Sequence, residues 1–158
     1  MKYQPFNSAQ ALDLLGKIWS LPNTLLGVFI GLSGHVLSWC GNRLGIYAHQ
    51  AKISVGNNAI QFHNNALMAF GALTIGNVIC YGCHCAEHSH GEHERQHTIQ
   101  AQVLGPFYLP LHVLAQLASI CTHRIDSLRG PTIVHGKANF LETGPLSDPP
   151  RPWPMVFK

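Results

Sequence analysis

Charged side chains are what this chain has least of. Asp, Glu, Lys and Arg make up 11% of its 158 residues, under half of the roughly 25% usual in a soluble domain. Ten basic and seven acidic groups leave a formal charge of +3 with no basic run, which excludes the electrostatic footprint of a nucleic-acid partner. The shortage also makes each carboxylate informative. Cysteine falls short of a complete disulfide framework. Five is an odd number, and Cys83 and Cys85 in "CYGCHC" stand too close for an easy mutual bridge, so a reduced compartment or an interior setting is expected. A standard signal peptide is lacking too. The first apolar run follows Asp13 and has no small-x-small cleavage site, so the expected location is cytoplasmic or membrane-associated, or outside the cell by a non-Sec route.

Hydrophobic residues, by contrast, reach 46%. Leu21–Trp39 and Val103–Cys121 contain no Asp, Glu, Lys or Arg, and each approaches the ~20 residues that span a bilayer. Both carry Pro, Gly and His. They are read as buried or interfacial helices, with membrane insertion as the alternative. The length predicts a single domain over 1–158, ending in a Pro-rich arm over about 144–158.

The predicted class is α+β, with a small antiparallel β-meander and flanking apolar helices. Residues 9–19 read as a short amphipathic helix broken near Pro22, with the apolar run to Trp39 as a second helix. Ile53 and Val55, then Ile60 and Phe62, alternate with polar neighbours as half-buried strands do. Asn57-Asn58 supplies the positive φ angles of a tight hairpin, and Leu73–Tyr81 is the best strand candidate. Ser89 and Glu92 have the spacing of a capping box, and Gly105-Pro106 is a stop signal. A second apolar helix is expected from Phe107 to His123, and a last short one over His135–Glu142.

Within "EHERQHTIQ", His93, Glu94 and His97 spell His-Glu-x-x-His. Residues four apart share a helix face, so His93 and His97 aim two imidazoles at one metal. Glu94 then stands beside the metal, where a general base for an activated water belongs. The histidine count of eleven makes the motif less specific than usual, but the preceding strands offer an edge to hold an extended peptide. Downstream of His97 the only candidates for an acidic third ligand are Asp126, Glu142 and Asp148.

The stretch "HERQHTIQAQVLGPFYLP" (His93–Pro110) resembles small bacterial zinc-peptidase-like domains, some attached to Rhs-type polymorphic toxins, and "HGKANFLETGP" (His135–Pro145) does so more loosely. The resemblance implies a gluzincin-like site with His93, His97 and Glu142 as zinc ligands and Glu94 as catalytic base. Gly144-Pro145 follows closely after Glu142, which departs from the long helix expected for that ligand. Gln100 falls on nearly the same face as His93, to orient a ligand or to line the helix pair. Tyr108, His112 and His135 are candidates for stabilising an oxyanion. His135 is preferred to Tyr108 for its nearness to Glu142 in the chain, although such residues in apolar helices are more often packed side chains.

The expectation is a Zn2+-dependent metallopeptidase acting on a peptide or protein, with a toxin or effector role attached to it. Two alternatives come from other classes. One is a non-catalytic metal binder using Cys83, Cys85, His84, His88 and His90, although a solvated loop is the simpler reading of that cluster. The other is a membrane-associated protein carrying the same helix. Nothing in the sequence names a substrate, a specificity or an oligomeric state.

Overall fold

A computed structural model describes residues 8–68, 71–85, 87–122 and 139–142. Two helices open the chain, α1 (Ser8–Trp19) and α2 (Leu21–Arg43). Four strands follow: β1 (Lys52–Gly56), β2 (Ala59–His63), β3 (Ala72–Ile75) and β4 (Val78–Tyr81). The chain continues with α3 (Glu87–Leu104), a 3-10 turn over Gly105–Phe107 and α4 (Tyr108–Thr122). This is the α+β class read from the sequence. The Pro-rich arm and most of the expected helix over His135–Glu142 lie outside the described residues, and residues 139–142 form a turn.

Strand order across the sheet is β1-β2-β4-β3. Two antiparallel hairpins, β1–β2 and β3–β4, are joined by a parallel β2–β4 pairing in which Ile60 lies opposite Val78 and Phe62 opposite Cys80. A simple meander would have put β3 beside β2. The apolar run of β4 explains the exchange: Val78, Ile79, Cys80 and Tyr81 are all buried, so this strand takes an interior position covered on both faces. Half-buried Ala72 and Leu73 leave β3 at the edge. The first hairpin turns at Asn57 (φ 49°) and Asn58 (φ 64°), as the Asn-Asn pair predicts.

Successive side chains of β4 serve opposite faces. Val78 and Cys80 pack with Phe62 against Val28 of α2, whereas Ile79 and Tyr81 pack with Ala59 and Cys85 on the other side. A third cluster joins Ala101 of α3, Tyr108 and Ala115 of α4, and Leu141. Helix α2 lies against the sheet on its glycines. A Cβ on Gly27 would come within 2.5 Å of the Ile75 carbonyl oxygen, and one on Gly31 within 2.4 Å of the Phe62 ring. Only glycine permits that approach.

The outward face of α1 is apolar. In α1 the buried residues are Asp13 and Gly16, while Leu12, Leu15 and Ile18 are exposed. Asp13 accepts from Lys17 Nζ at 2.6 Å and from Gln102 Nε2 at 3.2 Å, and Lys17 also donates to Asn58 Oδ1 at 2.7 Å. An ion pair with amide partners thus ties α1 to the first hairpin and to α3. On β1, Ile53 and Val55 are exposed rather than half-buried.

Candidate metal centre

Helix α3 begins at Glu87, two residues before Ser89, so the expected capping serine lies inside the helix and does not start it. The stop signal acts as read: Gly105 adopts a positive φ of 57° and closes α3. His93 and His97 therefore sit in mid-helix, one turn apart, on the face turned to residues 139–142.

There the chain returns in a tight turn built by buried Asn139. Its side chain accepts from the Leu141 N–H at 3.1 Å, and its carbonyl accepts from the Glu142 N–H at 3.0 Å. This turn, not a helix, presents Glu142 to the two histidines. His97 Nε2 lies 3.2 Å from His93 Nε2 and 3.3 Å from Glu142 Oε1, and His93 Nε2 lies 3.5 Å from Glu142 Oε2. Ligands about 2.0–2.1 Å from a tetrahedral ion stand roughly 3.3–3.4 Å apart. The His93–His97 and His97–Glu142 Oε1 separations are close to that spacing, and the three residues each bring one ligand atom within 4.8 Å of the others, so the donor set fits a divalent ion. No fourth His, Cys, Asp or Glu joins the three among the described residues, and the His93 side chain is 41% exposed.

The surrounding groups hold the ligands in place. Gln100 Oε1 pairs with His97 Nδ1 at 2.8 Å, and Gln100 Nε2 donates to the Leu141 carbonyl at 2.8 Å. An amide oxygen only accepts, so Nδ1 carries the proton and Nε2 presents its lone pair to the cluster. The His112 ring stands edge-on to His97 at 5.6 Å and is 5.4 Å from the Tyr108 ring. Burial works against a charged His97. The Glu142 carboxylate outweighs it, with Glu94 and Gln100 adding, and the imidazole pKa is raised. The field that favours a proton there also favours a cation.

Glu94 is buried and is not a member of the ligand trio. Its Oε2 accepts from Thr74 Oγ1 at 2.6 Å, which anchors the carboxylate to edge strand β3. Tyr108 is wholly buried, and its hydroxyl has no hydrogen-bond partner among the described residues. Burial first, then the fields of Glu94 and Glu142, push this phenol far above its ordinary range. It remains a proton donor at any physiological pH.

The structure brings His93, His97 and Glu142 together, with Gln100 bonded to His97 and the His112 and Tyr108 rings beyond it. His135 lies outside the described residues. Thr74 and Asn139 escaped the sequence reading, because a threonine in a strand and an asparagine before a Leu-Glu pair carry no motif. The Cys83–His90 segment, read from the sequence as a loop, enters helix α3 at Glu87 and forms no second centre among the described residues. Cys85 belongs to the core, where burial and then Glu94 raise its thiol pKa, while Cys83 and His84 are exposed. A cleft of about 670 Å³ bordered by Lys52, His63, Cys83 and His84 lies apart from the metal cluster.

No protein-family model, curated protein or solved structure matches the chain. What the geometry itself supports is a His/His/Glu cluster able to hold a divalent metal, on a helix whose His93-Glu94…His97 spacing and distal Glu142 are consistent with a zincin-type site.

Proposed function

We propose that the protein is a zinc-dependent peptidase. The observation that carries this reading is the division of labour around one point. His93, His97 and Glu142 bring one ligand atom each within 4.8 Å of the others, and no fourth His, Cys, Asp or Glu joins them among the described residues. A buried carboxylate, Glu94, and a buried phenol, Tyr108, whose hydroxyl has no hydrogen-bond partner among the described residues, stand outside the ligand set. A storage or structural site closes its coordination shell and has no use for a spare buried acid and a spare donor.

A zinc ion bound by His93, His97 and Glu142 would acidify a water and polarise the scissile carbonyl. Glu94 is the residue that would accept a proton from the attacking water and deliver it to the leaving amine. Thr74 fixes the direction of the carboxylate, and because Thr74 belongs to β3, the base is in register with an edge strand. An extended peptide paired with that edge would meet Glu94 at a fixed position. Tyr108 donates its proton-bearing hydroxyl to the oxygen that gains negative charge, and that charge would give the phenol its missing partner.

The likeness of His93–Pro110 to domains attached to Rhs-type polymorphic toxins extends the proposal to a bacterial effector, and that stretch is its sole support. The test is metal content and hydrolysis of a generic peptide library, wild type against His93→Ala, His97→Ala and Glu142→Ala. About one zinc per chain in the wild type, lost together with hydrolysis in each variant, supports the reading. Full zinc in a His93→Ala, His97→Ala double variant places the metal elsewhere and overturns it.

A further inference from the structure

The helices that frame the site are built inside out. Along α2 the buried residues are Asn23, Gly27, Gly31, Gly34, Ser38 and Gly41, a continuous stripe of small and polar side chains at three- and four-residue spacing. The opposite face carries Leu25, Phe29, Leu32, Val36 and Leu37, all largely exposed, Phe29 by 70%. Helix α4 repeats the pattern, burying Ala115 and Ser119 while exposing Val113, Leu114 and Leu117. A helix at a water-facing surface has the opposite distribution.

These faces are also without charge. No Asp, Glu, Lys or Arg occurs from residue 18 to 42 or from 96 to 123. Helices α1 and α2 pack on the turn that leads into α4: a Cβ on Gly105 would strike the Trp19 ring, and Asn23 Nδ2 donates to the Gly105 carbonyl at 2.7 Å. By length and hydropathy alone, Leu21–Arg43 and the helical stretch His90–Thr122 are long and apolar enough to cross a membrane. The packing says otherwise for α2. One face of it rests on the sheet, with Phe62 against Gly31 and the Asn65 amide against Gly34, and open sheet edges do not survive in hydrocarbon.

We propose that the exposed faces of α1, α2 and α4 lie in one leaflet of a lipid bilayer, so that the protein is monotopic, with α2 parallel to the membrane plane. Three features favour lipid over a second copy or another protein. The apolar surface runs the whole of α2, roughly 34 Å at 1.5 Å per residue, and α1 and α4 expose Leu, Ile and Val side chains of their own. Trp19 and Trp39, each half exposed, stand near the two ends of α2, as aromatic residues do at the headgroup level. Arg43 lies over the Trp39 ring, 5.5 Å from its centroid, at the position where a cation reaches lipid phosphate. The sheet lies on the side away from the apolar face of α2.

The experiment is flotation of the full chain with phosphatidylcholine–phosphatidylglycerol vesicles. The wild type is expected to float and to stay bound in molar salt, since insertion of apolar surface is not screened. A Phe29→Asp, Val36→Asp double variant places two charges on that face where no buried contact exists. It should lose at least tenfold in bound fraction while keeping its circular dichroism. Wild type left in the bottom fraction overturns the proposal, as does a double variant that floats equally well. So does a detergent-free wild-type dimer that the double variant dissociates, because the face would then be a protein contact. Should the double variant misfold, brominated lipid decides with a chain whose only tryptophan is Trp39 (Trp19→Phe, Trp153→Phe). Quenching is expected, and unquenched emission contradicts the proposal.

Discussion

Gln100 holds His97 and the backbone beside Glu142 with one side chain. Its oxygen fixes the His97 tautomer while its amide nitrogen grips the Leu141 carbonyl, so a ligand on α3 and a ligand on a distant turn are positioned by the same amide. Gln100→Leu keeps the bulk and removes both bonds. Zinc affinity should fall about 10–100-fold, the usual effect of losing an outer partner of a histidine ligand. Competition with a chromophoric chelator reads it directly, and an unchanged affinity would mean that Gln100 only packs.

Tyr108 makes an unusual pair of expectations. A buried hydroxyl without a partner costs about 1–3 kcal/mol, so Tyr108→Phe should be as stable as wild type or more so in urea unfolding. Its peptide hydrolysis should nonetheless fall about 10²–10³-fold in kcat, as on removing one oxyanion donor, with the zinc retained. A variant that is both destabilised and fully active would assign Tyr108 to packing alone.

The cysteines test the setting of the sheet. Cys40, Cys83 and Cys121 are exposed and should alkylate readily near neutral pH, whereas buried Cys80 and Cys85 should be protected until unfolding. Burial pushes the Cys80 thiol from 9.0 up to about 12. The folded value exceeds the unfolded one, so this contribution to stability is complete below about pH 9 and is lost as pH rises towards 12. Denaturant midpoints should drop over that window, and the drop should shrink in Cys80→Ala compared with its own neutral value. An identical alkaline drop in both would exclude Cys80 as a source.

How much of this was legible in the sequence follows from how local each signal is. The Asn57-Asn58 turn, the Gly105 stop and the His93–His97 face depend on neighbours in the chain, and all three appear as read. The parallel β2–β4 pairing depends on which strand is apolar on both faces, a comparison between strands that alternation within one strand does not make. The turn that delivers Glu142 rests on the Asn139 side chain bonding backbone two residues on, which no helical pattern announces. The inner faces of α1 and α2 were not assigned from the sequence, for a plainer reason. Hydropathy assigns leucine inward and glycine nowhere, and here close approach to the sheet selects glycine for the inner face.

The proposed peptidase stands on Glu94 acting as a base and not as a ligand, so the most direct measurement is peptide hydrolysis by Glu94→Gln at verified zinc content. Glutamine keeps the size and still accepts from Thr74 through its amide oxygen, yet it takes no proton at neutral pH. The expected result is one zinc per chain, a native fold and hydrolysis reduced at least ~10²–10⁴-fold. A zinc-loaded Glu94→Gln protein that cleaves peptide as fast as wild type would contradict the account.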